Sequence, residues 1–398
     1  MRSSESFLKL LRDAFYIGVI GYGGPAILAQ MKRLFVGKYG YISEQEFMDG
    51  LSLTQILPGS QGTSMMTYVG YKLHRFWGGI IVPFVFIAPS IVLILVLSWA
   101  YFRFGNVGVI KSIFMGLGAV VVALLVDASL KLGKTVFQKF NRSNLKGGII
   151  AVVAFVAVFV FNMNAIYIIL LAAFLGFGFY FFTGEFESEK LPSHGSAPVS
   201  IGRLQFKKED ALPLGLLLVA ITAIFFVPML EKIFITFFQV GLFTFGGGYT
   251  AVALIQRLTV NGMHWVTLSQ FRDGIALGQI TPGPVLETAT FIGYRVTGII
   301  GALVATFAIF LPSILAMLLV VDMHEKVKNM KLVKVLTRGI LSGFIGLLVA
   351  VTLQFALKSL IGWQTWLIFL AAVMFISYFK KDPIWAILAG VAVSLFIF

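Results

Sequence analysis

The residue types in this 398-residue chain that could do chemistry together are mostly uncharged. Gly23-Gly24-Pro25 and Gly246-Gly247-Gly248 each break an apolar stretch, and Pro58-Gly59-Ser60 and Pro282-Gly283-Pro284 break the stretches that follow. Glycine lets backbone approach a ligand closely and proline suits the first turn of a helix, so each break is expected to start a half-helix. The N-terminus of a half-helix offers free N–H groups and about half a positive charge, which suits an anion without burying a Lys or Arg. Gln55 and Gln279, three residues before each Pro-Gly, would add neutral donors to an oxyanion. The competing reading is that these glycines serve close helix packing and the prolines only kink. Recurrence of both breaks with the same Gln favours the anion site.

Ionisable residues near the breaks are the next candidates, because a charge at the bilayer centre costs at least about 2.5 kcal/mol. Asp49 and Asp273 occupy equivalent positions roughly two turns before each Pro-Gly, either to couple an ion or to cap and pair near the membrane surface, as Asp273 could with Arg272. Glu287 follows Pro284 with no equivalent acid in the first half; it would carry a coupling proton or stabilise a helix start. Asp127 has a proton role or a surface position beside Lys131 open to it. Arg33 and Arg257, each some ten residues after a glycine pair, would draw an anion to the vestibule or mark the interface.

The elements that must position these residues are membrane helices. Apolar residues make up 59% of the chain and charged residues 12%, against about a quarter charged in soluble domains. Runs that approach or reach the ~20 residues of a membrane helix cover 76–102, 113–130, 148–161, 165–182, 212–229, 299–321, 339–356, 363–378 and 384–398. The pieces 7–24, 51–70, 231–247 and 275–293 are weaker, broken by Gly, Pro, Gln and charge. The absence of cysteine excludes disulfides, thiolate metal sites and thiol catalysis. Four scattered histidines argue against zinc, and no catalytic constellation recurs, so neither an enzyme nor a cofactor is expected.

The chain is duplicated. Phe15, Gly18, Gly23 and Gly24 recur at one constant offset as Phe238, Gly241, Gly246 and Gly247. The stretch from Phe47 to Gly59 repeats between Phe271 and Gly283 after a single slip in register. At the original offset, Gly70-Tyr71-Lys72 and Pro89-Ser90-Ile91 match Gly293-Tyr294-Arg295 and Pro312-Ser313-Ile314. Charge orients the copies. The net charge is +14, and the basic residues sit after the fourth segment of the first half (Lys131, Lys134, Lys139, Arg142, Lys146) but before the corresponding segment of the second (Lys326, Lys328, Lys331, Lys334, Arg338). By the positive-inside rule the halves lie in opposite senses. The expected architecture is an all-α polytopic membrane protein, an inverted repeat of about six plus one plus six segments with broken or re-entrant helices. Residues 1–182 form the first repeat, 183–210 a polar linker, 211–230 an extra connecting helix and 231–398 the second repeat, with N-terminus inside and C-terminus outside. Lys32, Arg33 and Lys38 would fall on the outer side unless their segment is re-entrant.

An inverted repeat is the signature of an alternating-access transporter with its site where broken helices meet. The run Gly23-Gly24-Pro25-Ala26, then Met31-Lys32-Arg33, Ser43-Glu44-Gln45-Glu46-Phe47, Leu57-Pro58-Gly59, Tyr68-Val69-Gly70-Tyr71 and Pro89-Ser90 resembles the chromate ion transporter family. So do Phe245-Gly246-Gly247-Gly248 and Gln279-Ile280-Thr281-Pro282-Gly283-Pro284 in the second half. The resemblance covers nearly the whole chain in the family's long form of two fused halves. It implies a cytoplasmic-membrane secondary transporter that exports chromate, with sulfate as analogue, driven by an ion gradient. The expected partners are chromate or a sulfate-like oxyanion, membrane lipid and protons, with a homodimer as candidate assembly and no nucleic acid. Tyr22 departs from the family's Phe before Gly-Gly, and Ser60 from the second Pro of its P-G-P; a hydroxyl at Ser60 or Thr63 could still donate to an oxyanion. An oxyanion uptake permease and a channel with the glycine breaks as filter are the alternatives.

Overall fold

A computed structural model describes residues 7–22, 24–105, 107–137, 142–161, 163–181, 211–245, 248–323, 331–380 and 383–398. The linker 183–210 lies outside the described residues, as do Gly23, Gly246 and Gly247.

The first copy begins with two helical hairpins too short to cross a bilayer. Helix α1 (Phe7–Ile20) leads into α2 (Gly24–Met31), which a π-helical turn, Lys32–Lys38, continues. α3 (Glu44–Ile56) leads into the first arm of α4 (Gln61–Phe104). α1 and α3 have 14 and 13 residues, roughly 20 Å, against a hydrocarbon core of roughly 30 Å. Each pair folds back on itself. Tyr41 Oη donates to Asp13 Oδ2 at 2.6 Å and Lys9 lies 5.1 Å from the Tyr39 ring centroid, so the chain leaving the π turn has returned beside the start of α1. In the second hairpin Gly50 of α3 packs directly on Met65 and Tyr68 of α4; a Cβ there would come within 2.7 Å of the Tyr68 ring. Lys32, Arg33 and Lys38 therefore stay on the face where the chain begins, which removes the conflict between their charge and a spanning reading.

α4 then reverses at His74 and Arg75, where Arg75 adopts φ 53°. Its two arms touch backbone to backbone at Gly70 and Gly78, a contact any side chain would prevent. The long second arm crosses the molecule, followed by α5 (Gly108–Val136), α6 (Arg142–Phe159) and α7 (Ala165–Tyr180). After α8 (Ala211–Phe225), the order repeats: α9 (Pro228–Phe243), α10 (Gly248–Ile255) with its π turn Gln256–Gly262, and α11 (Leu268–Ile280). A 3-10 turn, Val285–Glu287, then opens α12 (Thr288–Val320), followed by α13 (Lys331–Ser359), α14 (Trp363–Val373) with the π turn Met374–Tyr378, and α15 (Pro383–Ile397). Details repeat as well. Capping boxes open α3 (Ser43, Glu46) and α11 (Thr267, Gln270), α12 reverses at Thr297 and Gly298, and Gly293 meets Gly301 as Gly70 meets Gly78.

The copies pack in opposite senses. Tyr101 and Phe102, at the far end of α4, meet Asp273, Phe291 and Tyr294 of the second copy, whereas Tyr71 beside the α4 reversal donates to Asp322 just past α12, at 2.7 Å. Glycines let helices of different copies approach. Gly176 of α7 lies on Gly339 of α13, Gly346 of α13 on Ala151 and Phe155 of α6, and Gly116 of α5 on Ser394 of α15. Among the described residues four helices, within 61–104, 110–134, 285–320 and 332–359, are long and apolar enough to cross a membrane, and shorter apolar helices run beside them. The outer faces carry Trp363, Trp366, Leu370 and Trp385, exposed as a lipid-facing surface requires. The chain is an all-α polytopic membrane protein with an inverted repeat.

Candidate functional site

The breaks of the two copies interlock. Gly283 N donates to Gly21 O at 2.8 Å, and Tyr22 and Gly283 form an isolated parallel bridge. By the same relation in reverse, Gly59 N donates to Thr244 O at 2.6 Å. Both hairpin tips require glycine. Gly59 has φ +100° with Ser313 against it, and Gly283 has φ +125° with a Cβ position 3.0 Å from Ser90 Oγ. Ser90 and Ser313 stand about midway along the long arms of α4 and α12, which puts the crossing at mid-depth.

Helix starts converge there. Gly24 and Pro25 open α2, and Gly248, against Val285 and Leu286, opens α10. The first arm of α4 starts after Ser60, and the turn leading into α12 starts after Pro284; neither residue caps the first-turn N–H groups with its side chain. Thr63 Oγ1 donates to Ser60 O at 3.0 Å, and Ser60 is buried. The result is a mid-depth cluster of backbone donors and positive helix ends, ringed by Pro58, Pro282 and hydroxyls. Gln55 is exposed on α3 and Gln279 half-buried on α11, so the two copies present the equivalent amide differently.

The ionisable candidates separate. Asp273 is buried and held by Arg272 at 2.9 Å and by Tyr101 Oη at 2.8 Å. Asp49 accepts from Gln45 Nε2 at 3.1 Å. Asp127 is buried, pairs with the exposed Lys131 at 2.7 Å and accepts from Ser377 at 3.0 Å. Arg33 is exposed, but Arg257 is buried and donates to the Val158 carbonyl at 2.6 Å. Arg257 thereby ties α6 to the π turn after α10. Glu287 stands alone. It is fully buried, its Oε2 lies 3.1 Å from Thr290 Oγ1, and its Oε1 has no hydrogen-bond partner. Ser90 Oγ faces it without aligning into a hydrogen bond and is likewise unpartnered.

The sequence reading did not single out Thr244, Thr290 or Thr306. Ser90 and Ser313 were visible in it only as matched Pro-Ser-Ile triplets. An apolar cleft of about 410 Å³ between α5, α14 and α15, lined by Val120, Ile368, Phe375 and Gly390 among others, shares no residue with the breaks.

Two oppositely oriented helical copies whose broken helices interlock at mid-depth define the membrane-transporter class. The profile of the chromate transporter family matches residues 8–177 and 231–395, and the chain belongs to that family. It is 31% identical over 378 residues to the chromate transport protein of Cupriavidus metallidurans, spanning 94% of this chain and 89% of that one. It is 30% identical over 396 residues to a probable chromate transport protein of Synechococcus elongatus, spanning 98% and 95%. An uncharacterised transporter of Methanocaldococcus jannaschii is 29% identical over 382 residues, spanning 96% and 91%. No solved structure matches the chain. The family is one of transporters, not of enzymes.

Proposed function

We propose that the protein is a secondary transporter of tetrahedral oxyanions that exports chromate across the cytoplasmic membrane, with sulfate as its analogue, driven by an ion gradient. The observation that carries this reading is the double crossing, Gly283 N to Gly21 O and Gly59 N to Thr244 O, which gathers half-helix starts from both copies at one depth. A dianion there is neutralised by N–H groups and helix ends, and no Lys or Arg need be desolvated. The substrate contacts are assigned to Gly23, Gly24, Pro25, Pro58, Gly59, Ser60, Gly246, Gly247, Gly248, Pro282, Gly283 and Pro284, with Gln55 and Gln279 on the approaches.

Lys9, Lys32, Arg33, Lys38 and Lys131 lie on the face where the chain begins; described basic residues of the opposite face include Arg103, Lys111, Arg295 and Lys358. The positive-inside rule then puts the N-terminus in the cytoplasm and the C-terminus outside. Inside-out vesicles with labelled chromate test the assignment. Uptake into them that competes with sulfate and dissipates with the gradient is the expected result, and equilibration unaffected by the gradient would mark a channel instead.

A further inference from the structure

Glu287 is the buried ionisable group that the anion site does not use. It stands one turn beyond Pro284, at the start of α12, with Ser90 reaching from α4 between it and Gly283. Counting hydroxyl hydrogens gives its state. Thr306 Oγ1 donates to the Ala302 carbonyl at 2.7 Å, which uses its one hydrogen. The 2.7 Å contact between Thr290 Oγ1 and Thr306 Oγ1 must then contain the hydrogen of Thr290. The 3.1 Å contact between Thr290 Oγ1 and Glu287 Oε2 holds a hydrogen only if the carboxyl brings it. A neutral Glu287 satisfies the whole chain, Glu287 to Thr290 to Thr306 to Ala302. An ionised one either takes the Thr290 hydrogen and breaks one of the other two bonds, or draws on Ser90 and leaves its Oε2 against the Thr290 oxygen with no hydrogen between them.

We propose that Glu287 binds one proton together with the oxyanion, so that the half-helix site of the second copy is loaded as anion plus proton. This rests on the oxyanion reading of the breaks and adds to it the co-substrate. The step is a protonation alone: the carboxylate takes a proton from water and returns it on the other side, so a dianion leaves with one net negative charge and the membrane potential, negative inside, drives its export. Two negative charges side by side at mid-depth repel strongly, so whatever binds the anion favours the neutral carboxyl. By linkage the proton raises anion affinity by the factor that the anion raises proton affinity. Among the described residues no charged side chain reaches Glu287 from α4, α10, α11 or α12. Its polar neighbours are Ser90, Thr290 and Thr306, and Asp273 on α11 is occupied by Arg272 and Tyr101. When the copies are aligned on Gly70 and Gly293, the position equivalent to Glu287 is Ser64, buried and without charge, so each cycle carries one such proton.

The test uses purified full-length protein in weakly buffered liposomes, with chromate added above the pH range in which chromate itself titrates. Bound chromate and proton uptake, read by a pH dye, are measured together. Wild type should take up a fraction of a proton per anion bound that rises toward one as pH is raised and the unliganded carboxyl ionises, with anion affinity falling as pH rises. Glu287→Gln should bind chromate with no proton uptake and no such pH dependence. Thr306→Val should free the Thr290 hydrogen for the carboxylate, favour the ionised form and weaken proton affinity about tenfold, while proton uptake persists at lower pH. Proton uptake unchanged in Glu287→Gln, or a Thr306→Val midpoint that does not move, overturns the proposal and leaves the anion site standing. Absence of chromate binding by the wild type would instead overturn the anion site.

Discussion

Gly59 and Gly283 show how much one missing methyl group decides. Each holds a left-handed backbone and lies against a serine of the other copy, Ser313 and Ser90. Gly59→Ala adds a strained φ and a collision with Ser313 Cβ, and should cost roughly 1–3 kcal/mol of stability and abolish chromate transport. Gly283→Ala, whose added Cβ meets the Ser90 hydroxyl at 3.0 Å, should be the milder of the two. Thermal unfolding in detergent, with chromate uptake per folded protein, checks both. Ser313→Gly in the Gly59→Ala background should recover part of the loss, and if it makes no difference the interlock is not where the strain lies. The two arginines make the complementary case, because type and spacing match and burial does not. Arg257→Met should remove the Val158 bond and destabilise by about 1–3 kcal/mol without altering the apparent KM for chromate. Arg33→Met, at an exposed site, should leave stability alone and weaken the salt dependence of KM. A one-dimensional pattern carries no burial, so Arg33 and Arg257 read alike in the sequence.

At the scale of elements, the breaks were legible because Gly-Gly and Pro-Gly have few other uses in an apolar run, and their ordered recurrence in the second half removed chance. What a broken run does next was not legible. A stretch such as 51–70 is apolar enough to be counted with the membrane segments, and only tertiary contacts, Gly50 on Tyr68 and Tyr41 on Asp13, turn it back. The misplaced charge of Lys32, Arg33 and Lys38 was the one signal of re-entry, since desolvating them was never plausible. Cross-copy ties were invisible for the same reason: Tyr101 is 172 residues from Asp273 and Tyr71 is 251 from Asp322. These two ties hold the reversal of α4 and the far end of its long arm to the second copy. In an alternating-access cycle each should resist opening at its own end. A thiol at Ser60→Cys, in a chain with no native cysteine, reports this. Tyr71→Phe should raise its labelling from the face where the chain begins, and Tyr101→Phe from the opposite face. Equal labelling of both variants would reduce the ties to packing.

For the whole molecule, the exchange of helices between copies explains why neither copy stands as a separate bundle: α5 packs on α14 and α15, while α13 packs on α6 and α7. An inverted pair built this way presents similar elements at both faces, and charge distinguishes them. The hairpins make a sharp prediction about those faces. If α1 and α2 re-enter, Lys38 lies on the same side as Lys131; if the segment 7–24 spans, they lie on opposite sides. Single substitutions Lys38→Cys, Lys131→Cys, Lys111→Cys and Gly262→Cys, all at exposed positions, separate the cases with a thiol reagent that cannot cross the membrane. In right-side-out vesicles Lys111→Cys and Gly262→Cys should react, and in inside-out vesicles Lys38→Cys and Lys131→Cys. Lys38→Cys reacting with Lys111→Cys would undo the first hairpin. It would also undo the mid-depth convergence, since Gly24 would then no longer begin a half-helix pointing back from the tip that Gly283 meets.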